Sequence, residues 1–175
     1  EMKEAYAMLK EDEKKVKSFL ITKGIDEKEI SFSSVYIRKD FRSQNDGNGN
    51  YSQYFNGYVL DESVIIESKN IQKVETISKD IAQLIDQGIE LNSNAPRYYY
   101  SKLKDLKVEL LAKAAADANI RASTIAKNSK SSLGGLLKSN MGIFQITGQN
   151  TDEDYSYGGA FNTSSINKTA SITVK

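Results

Sequence analysis

Few residues in this chain combine the type and the spacing that chemistry demands. Asp46-Gly-Asn48-Gly-Asn50 imitates the opening of a calcium loop, in which alternate oxygen-bearing side chains wrap the ion. That pattern also needs a glycine at its sixth position and a bidentate glutamate at its twelfth, and here those places hold Tyr51 and Gly57. The stretch therefore reads as the tip of a hairpin whose loop covers Ser43–Tyr51. Asp152-Glu153-Asp154 could hold a cation loosely and reads most simply as a solvated acidic loop. Leu133-Gly134-Gly135 follows a helical stretch rather than a strand and lacks the G-x-x-x-x-G-K-[ST] spacing of a phosphate loop, so it reads as a connector.

Tyr98, Tyr99 and Tyr100, in a chain of ten tyrosines, offer a stacking platform. Single-strand nucleic-acid binders couple such a platform to a positive groove, and no basic face is legible here. Asp117 and Arg121 lie four apart, the spacing of an ion pair along a helix surface. Asn50-Tyr-Ser52, Asn162-Thr-Ser164 and Asn167-Lys-Thr169 match the glycosylation sequon, as chance produces in a chain rich in Asn and Ser. No residue earns a catalytic, cofactor-binding or metal-binding role on this reading, and no cofactor is expected.

Composition narrows the chemistry further. The 175 residues contain no Cys, no His and no Trp, which removes thiol nucleophiles, Ser-His-Asp triads and the usual zinc sites. Lys plus Arg number 24 against 23 acidic residues, a balance with no field to attract nucleic acid. The hydrophobic fraction of 39% is ordinary for a globular domain, and no apolar run approaches the ~20 residues that span a bilayer.

The elements that must carry these residues follow from periodicity. A first helix is expected over about Glu4–Lys23, with Ala5, Leu9, Val16, Phe19 and Leu20 on one face and Asp12 interrupting it. A second covers Ile71–Gln87, capped by Asn70, with Ile71, Val74, Ile77, Ile81, Leu84 and Ile85 as its stripe. The third and longest runs over Lys102–Asn128 with Ser101 as cap. Its main stripe is Leu103, Leu106, Leu110, Ala114, Ala118 and Ile125, bordered by Leu111, Ala115, Ala122 and Ala126. The hexapeptides Leu20–Ile25 and Leu84–Ile89 read L-I-T-K-G-I and L-I-D-Q-G-I, each a helix stop with Gly in the left-handed conformation and an apolar residue beyond it. Strands are expected over Ile30–Arg42, Tyr54–Glu67, Leu91–Tyr100, Met141–Thr147 and the alternating tail Ala170, Ile172, Val174. Tyr54, Tyr58, Leu60, Val64 and Ile66 share one parity in the second of these. The class is α+β, helices packed on a mostly antiparallel sheet, in the order α-β-β-α-β-α-β-β. A chain opening on a helix with nothing before it to cover it is expected to lack N-terminal strands.

The stretch from Pro96 to Lys127, P-R-Y-Y-Y-S-K-L-K-D-L-K-V-E-L-L-A-K-A-A-A-D-A-N-I-R-A-S-T-I-A-K, followed by L-G-G-L and M-G-I-F-Q-I-T, resembles the bacterial SIMPL-domain family. Ala114, Asp117, Ala118, Arg121, Ala122, Ile125, Ala126, Leu133, Gly134, Gly142 and Gln145 carry the match, and K-G-I, G-Y-V-L and Q-G-I precede them in the family's order. Tyr157–Ser165 resembles the branch with an N-terminal membrane anchor. The resemblance implies one domain over residues 1–175, N-terminally truncated, in an envelope-facing (periplasmic or extracytoplasmic) protein tied to the membrane only through an anchor outside this sequence. Some relatives form large homo-oligomers and a mammalian relative is a signalling adaptor. The family has no agreed catalytic residues to carry over. The resulting expectation is a non-enzymatic envelope domain, a homo-oligomer or partner binder that does not bind nucleic acid. The alternatives are a small-molecule or peptide-binding module walled by the tyrosines, and an enzyme relying on carboxylates, Lys, Ser or Tyr.

Overall fold

A computed structural model describes every residue except Asn48 and Tyr155, and the chain divides into two units, Glu1–Pro96 and Arg97–Lys175. In the first unit, helix α1 spans Met2–Thr22. Ala5, Leu9, Val16 and Phe19 are half-buried and Leu20 is buried, with Asp12 half-buried among them. The helix stops where its sequence says. Gly24 takes φ +86°, its N–H donates to Ile21 O (2.9 Å), and the Ile25 N–H donates to Leu20 O (3.1 Å). A short 3-10 turn, Glu27–Glu29, capped by Asp26, hands the chain to the first strand.

Four strands follow: β1 Ile30–Phe32, β2 Tyr36–Asn45, β3 Tyr51–Asp61 and β4 Val64–Ile66. β1 pairs antiparallel with β4 and β2 with β3. Ser33 N–H to Ser63 O (2.9 Å) and Glu67 N–H to Glu29 O (3.0 Å) continue the pairing outside the strands proper, so the four form one long, interrupted two-stranded ribbon. At its base Ile30, Val64 and Ile66 pack against the core of Leu20, Ile25 and Ile77. The expected strands Ile30–Arg42 and Tyr54–Glu67 are each broken in two, and the hairpin loop is shorter than expected because the ladder runs on to Asn45↔Tyr51.

The register shifts between Asp40 and Phe41: Asp40 faces Gly57 and Phe41 faces Phe55, so Asn56 is a bulge residue. An extra residue reverses the alternation of faces. Phe41, Phe55 and Tyr58 therefore lie together on one face, with ring centroids 5.9 Å apart for Phe41–Phe55 and 5.2 Å for Phe55–Tyr58. Tyr54 does not share a face with Tyr58 and Leu60, contrary to the simple parity of the sequence.

Helix α2 covers Ile71–Asp80, with the Asn70 side chain accepting from the Lys73 N–H (3.0 Å), and tightens into a 3-10 stretch over Ile81–Gln87. Val74, Ile77, Ile81 and Leu84 turn inward, whereas Ile71 and Ile85 are exposed. In a 3-10 helix residues three apart eclipse, which keeps Ile81 and Leu84 in line and leaves Ile85 outside. The second glycine stop repeats the first: Gly88 at φ +80°, its N–H on Ile85 O (2.9 Å), and Ile89 N–H on Leu84 O (3.2 Å).

No strand forms over Leu91–Tyr100, which corrects the expected order by one element. Pro96 removes a backbone donor, and Asn92-Ser-Asn94 offers no alternation for a sheet to bury. In the second unit α3 spans Leu103–Asn128. Its N-cap is Lys102, without a side-chain cap bond, so Ser101 is not the cap that the sequence suggests. Strand β5, Gln145–Gly148, pairs antiparallel with β6, Lys168–Ser171. The pairing reappears at Met141↔Val174 and Gly142 N–H to Thr173 O (2.7 Å) after a one-residue shift in register. The α+β class stands, with the described strands in three two-stranded antiparallel ladders.

Candidate functional site

Two places concentrate side chains that the core does not consume. The first is the outer half of the β2–β3 ribbon. The bulge gathers Phe41, Phe55 and Tyr58 on one face with Ile37, Lys39 and Leu60, while Arg38, Asp40 and Arg42 take the other. Phe41 is 53% and Phe55 49% exposed. On the polar face Asn56 Nδ2 donates to Asp40 Oδ2 (2.6 Å), and Arg38 Nε lies 3.6 Å from Asp61. Among the described residues β2 and β3 pair only with each other, leaving both outer edges of the ribbon without a ladder partner.

The second place surrounds the end of β5. Ala160–Asn162 runs along the other edge of β5, with Ile146 N–H on Ala160 O (2.6 Å) and Asn162 N–H on Ile146 O (2.9 Å). The buried Gln145 carboxamide fixes the preceding turn, donating to Ser156 O (2.8 Å) and accepting from the Ala160 N–H. The chain then crosses from Asn162 to Lys168, which faces Gly148 across the β5–β6 ladder. A side chain on Gly148 would have its Cβ 2.6 Å from Ser165 Oγ and Thr151 Cγ2, so only glycine lets both loops close. The Gly148 N–H donates to Glu153 Oε2 (2.7 Å), and the other oxygen of that carboxylate accepts from Asn162 Nδ2. Lys168 Nζ donates to Asn162 O (2.7 Å), Asn162 Oδ1 (3.1 Å) and Ser165 O (2.6 Å). The Gly148 N–H, with Asn162 and Thr151 behind it, holds Glu153 below the usual glutamate range, against a smaller opposing effect of burial. Burial holds Lys168 below the usual lysine range.

The residues singled out by sequence have mostly local tasks. Asp46 turns its carboxylate onto Asn50, accepting from the backbone N–H (3.1 Å) and Nδ2 (2.9 Å), which uses it inside the hairpin tip. Asn48 of the same motif lies outside the described residues. Asp117 and Arg121 form the expected pair at 2.8 Å on an exposed face. Gly134 and Gly135 sit in an exposed irregular stretch, as a connector requires. Tyr98 donates its N–H to Thr163 O (2.7 Å), next to Asn162, while Tyr99 and Tyr100 are exposed. Two open surface depressions are lined by Lys28, Glu29, Glu67, Asn70 and Lys73, and by Lys14, Lys15, Phe19 and Gln87; neither touches the tyrosines. Among the described residues no helix is long and apolar enough to cross a membrane, and no three acidic, His or Cys side chains gather as metal ligands. The sequence shows Glu153 only in the Asp152–Asp154 acidic run and Asn162 and Lys168 only in two sequons, and nothing in it joins the three.

With the geometry in view, the chain can be compared with known proteins. The model of the SIMPL family, described as a protein of unknown function (DUF541), matches residues 1–175. The chain belongs to this family. No curated protein and no solved structure matches it. The residues through which the sequence resembles SIMPL proteins divide by task. Ala114, Ala118, Ala122 and Ala126 form a half-buried row on α3, Gly142 lets Thr173 approach within what a Cβ would crowd at 3.2 Å, and Gln145 clamps its turn. SIMPL membership supplies a family of unknown function and no reaction.

Proposed function

We propose that the chain is a non-enzymatic cell-envelope domain that works by self-association, with the outer β2–β3 ribbon as the surface through which copies meet. The observation that carries this reading is the aromatic face on which Phe41 and Phe55 are exposed and Tyr58 half-buried, on a ribbon whose two edges have no ladder partner among the described residues. A two-stranded ribbon gains stability from a further strand or a covering layer, and exposed edges are templates for pairing. A second ribbon laid on the aromatic face would remove these rings from water and leave Arg38, Asp40 and Arg42 solvated. The envelope setting rests on the family resemblance. Light scattering over a range of protein concentrations tests the reading. The parent should exceed the monomer mass, and Phe41→Lys with Phe55→Lys should return it to monomer without loss of helical signal. A parent that stays monomeric at every concentration removes the proposal.

A further inference from the structure

Asn162 is held from both ends of its carboxamide. Its Oδ1 accepts from Lys168 Nζ (3.1 Å) and from the Ser165 N–H (2.9 Å), and its Nδ2 donates to Glu153 and, at 3.2 Å, to Ser164 Oγ. These partners also fix which end is oxygen, since a lysine and an amide N–H must face an acceptor and a carboxylate a donor. An amine, a carbonyl polarised by a backbone donor and a carboxylate on the leaving nitrogen are the parts of an acyl transfer.

We propose that Lys168 and Asn162 join in an intramolecular amide bond, with Glu153 holding the leaving nitrogen. Lys168 Nζ gives one proton to solvent and, as the neutral amine, bonds to Asn162 Cγ. Negative charge develops on Oδ1, where the Ser165 N–H meets it. The Cγ–Nδ2 bond then breaks as the second proton from Nζ passes to Nδ2, which Glu153 holds through its donated hydrogen bond and which departs as ammonia. Amine and carboxamide become secondary amide and ammonia; no oxidant or cofactor enters, and Glu153 ends as it began. Proximity does most of the catalysis, because Lys168 Nζ lies 3.1 Å from the oxygen of the carboxamide it attacks. Burial raises the share of Lys168 present as the amine, and the Gly148 N–H keeps Glu153 ionised as the acceptor for Asn162 Nδ2. The bond would close the 162–168 loop covalently over Gly148.

Intact mass spectrometry of the full chain tests this. The bond lowers the mass by ~17 Da, one ammonia, relative to the sequence. Lys168→Met and Glu153→Ala should each restore the sequence mass. Tandem spectra of the parent require no variant to fold: trypsin should leave the Lys168–Thr169 bond uncut, and fragment ions within 162–168 should be missing. A parent at its full sequence mass after prolonged incubation overturns the proposal. So does an ammonia loss that persists in Lys168→Met, which would place a cyclic imide on Asn162 instead.

Discussion

The Ile25 N–H closes on the Leu20 carbonyl at 3.1 Å, and the same two residues bury their side chains in one core, at 3% and 0% exposure. One hexapeptide thus ends a helix, satisfies its last carbonyls and supplies two core side chains. Leu84 and Ile89 repeat the relationship at 3.2 Å, again buried. The recurrence of L-I-x-x-G-I is a structural joint used twice.

The two joints should respond alike to Gly→Ala. Gly24 and Gly88 sit at φ +86° and +80°, where a Cβ is disfavoured by about 1–2 kcal/mol. A Cβ on Gly24 would meet only the flexible end of Lys73 at 3.5 Å, and one on Gly88 would meet nothing within 4 Å. The cost is therefore conformational in both. Urea unfolding of Gly24→Ala and Gly88→Ala should give similar losses of that size.

Caps separate the two helix starts. Asn70→Ala removes the acceptor of the Lys73 N–H and should cost about 1 kcal/mol, whereas Ser101→Ala should change stability by less than ~0.5 kcal/mol because Lys102 holds the cap position without it. Paired thermal melts check the difference.

What was legible in the sequence is what local physics decides. The glycine stops, the Asn70 cap and the Asp117–Arg121 pair each depend on residues within five positions of one another, so spacing alone specifies them. The ribbon's faces depend on Asn56, one extra residue, and the sequence signal for it was Gly57 inside an otherwise alternating run. The apolar and aromatic content of Leu91–Tyr100 suggested a strand, but Pro96 and the Asn-rich start deny it a ladder. The Glu153–Asn162–Lys168 cluster was invisible because β5 assembles it: Asn162 hydrogen-bonds to its edge at Ile146 and Lys168 pairs with Gly148.

Helix α3 offers a sharper test of pattern against contact. Its half-buried residues are Leu103, Leu106, Leu110, Ala114, Ala118, Ala122 and Ala126, a row that advances by four at nearly every step and so winds about 40° around the helix each time. Ile125, assigned to the stripe by the sequence, falls off this row and is 68% exposed. Leu106→Ala should therefore cost stability, on the order of 1–2 kcal/mol for a half-buried leucine, while Ile125→Ala should be close to neutral. Equal losses in urea unfolding would show that the row is not what α3 buries.

Acid should loosen the end of β5 through Glu153. Its carboxylate accepts from the Gly148 N–H and from Asn162, so its folded pKa lies below the unfolded value of about 4.3. A carboxylate lowered in this way stabilises the fold above its unfolded pKa, and the contribution disappears as pH falls from there through the folded pKa. Lys168, lowered by burial, is common to parent and Glu153→Gln, so the difference between them reports Glu153. Glu153→Gln keeps an acceptor for Gly148 and removes the titration. The gap in unfolding midpoint between parent and Glu153→Gln should be constant near neutral pH and shrink steadily below about pH 4. A gap that does not change with pH would mean that the Gly148 bond holds the protonated acid as firmly as the carboxylate.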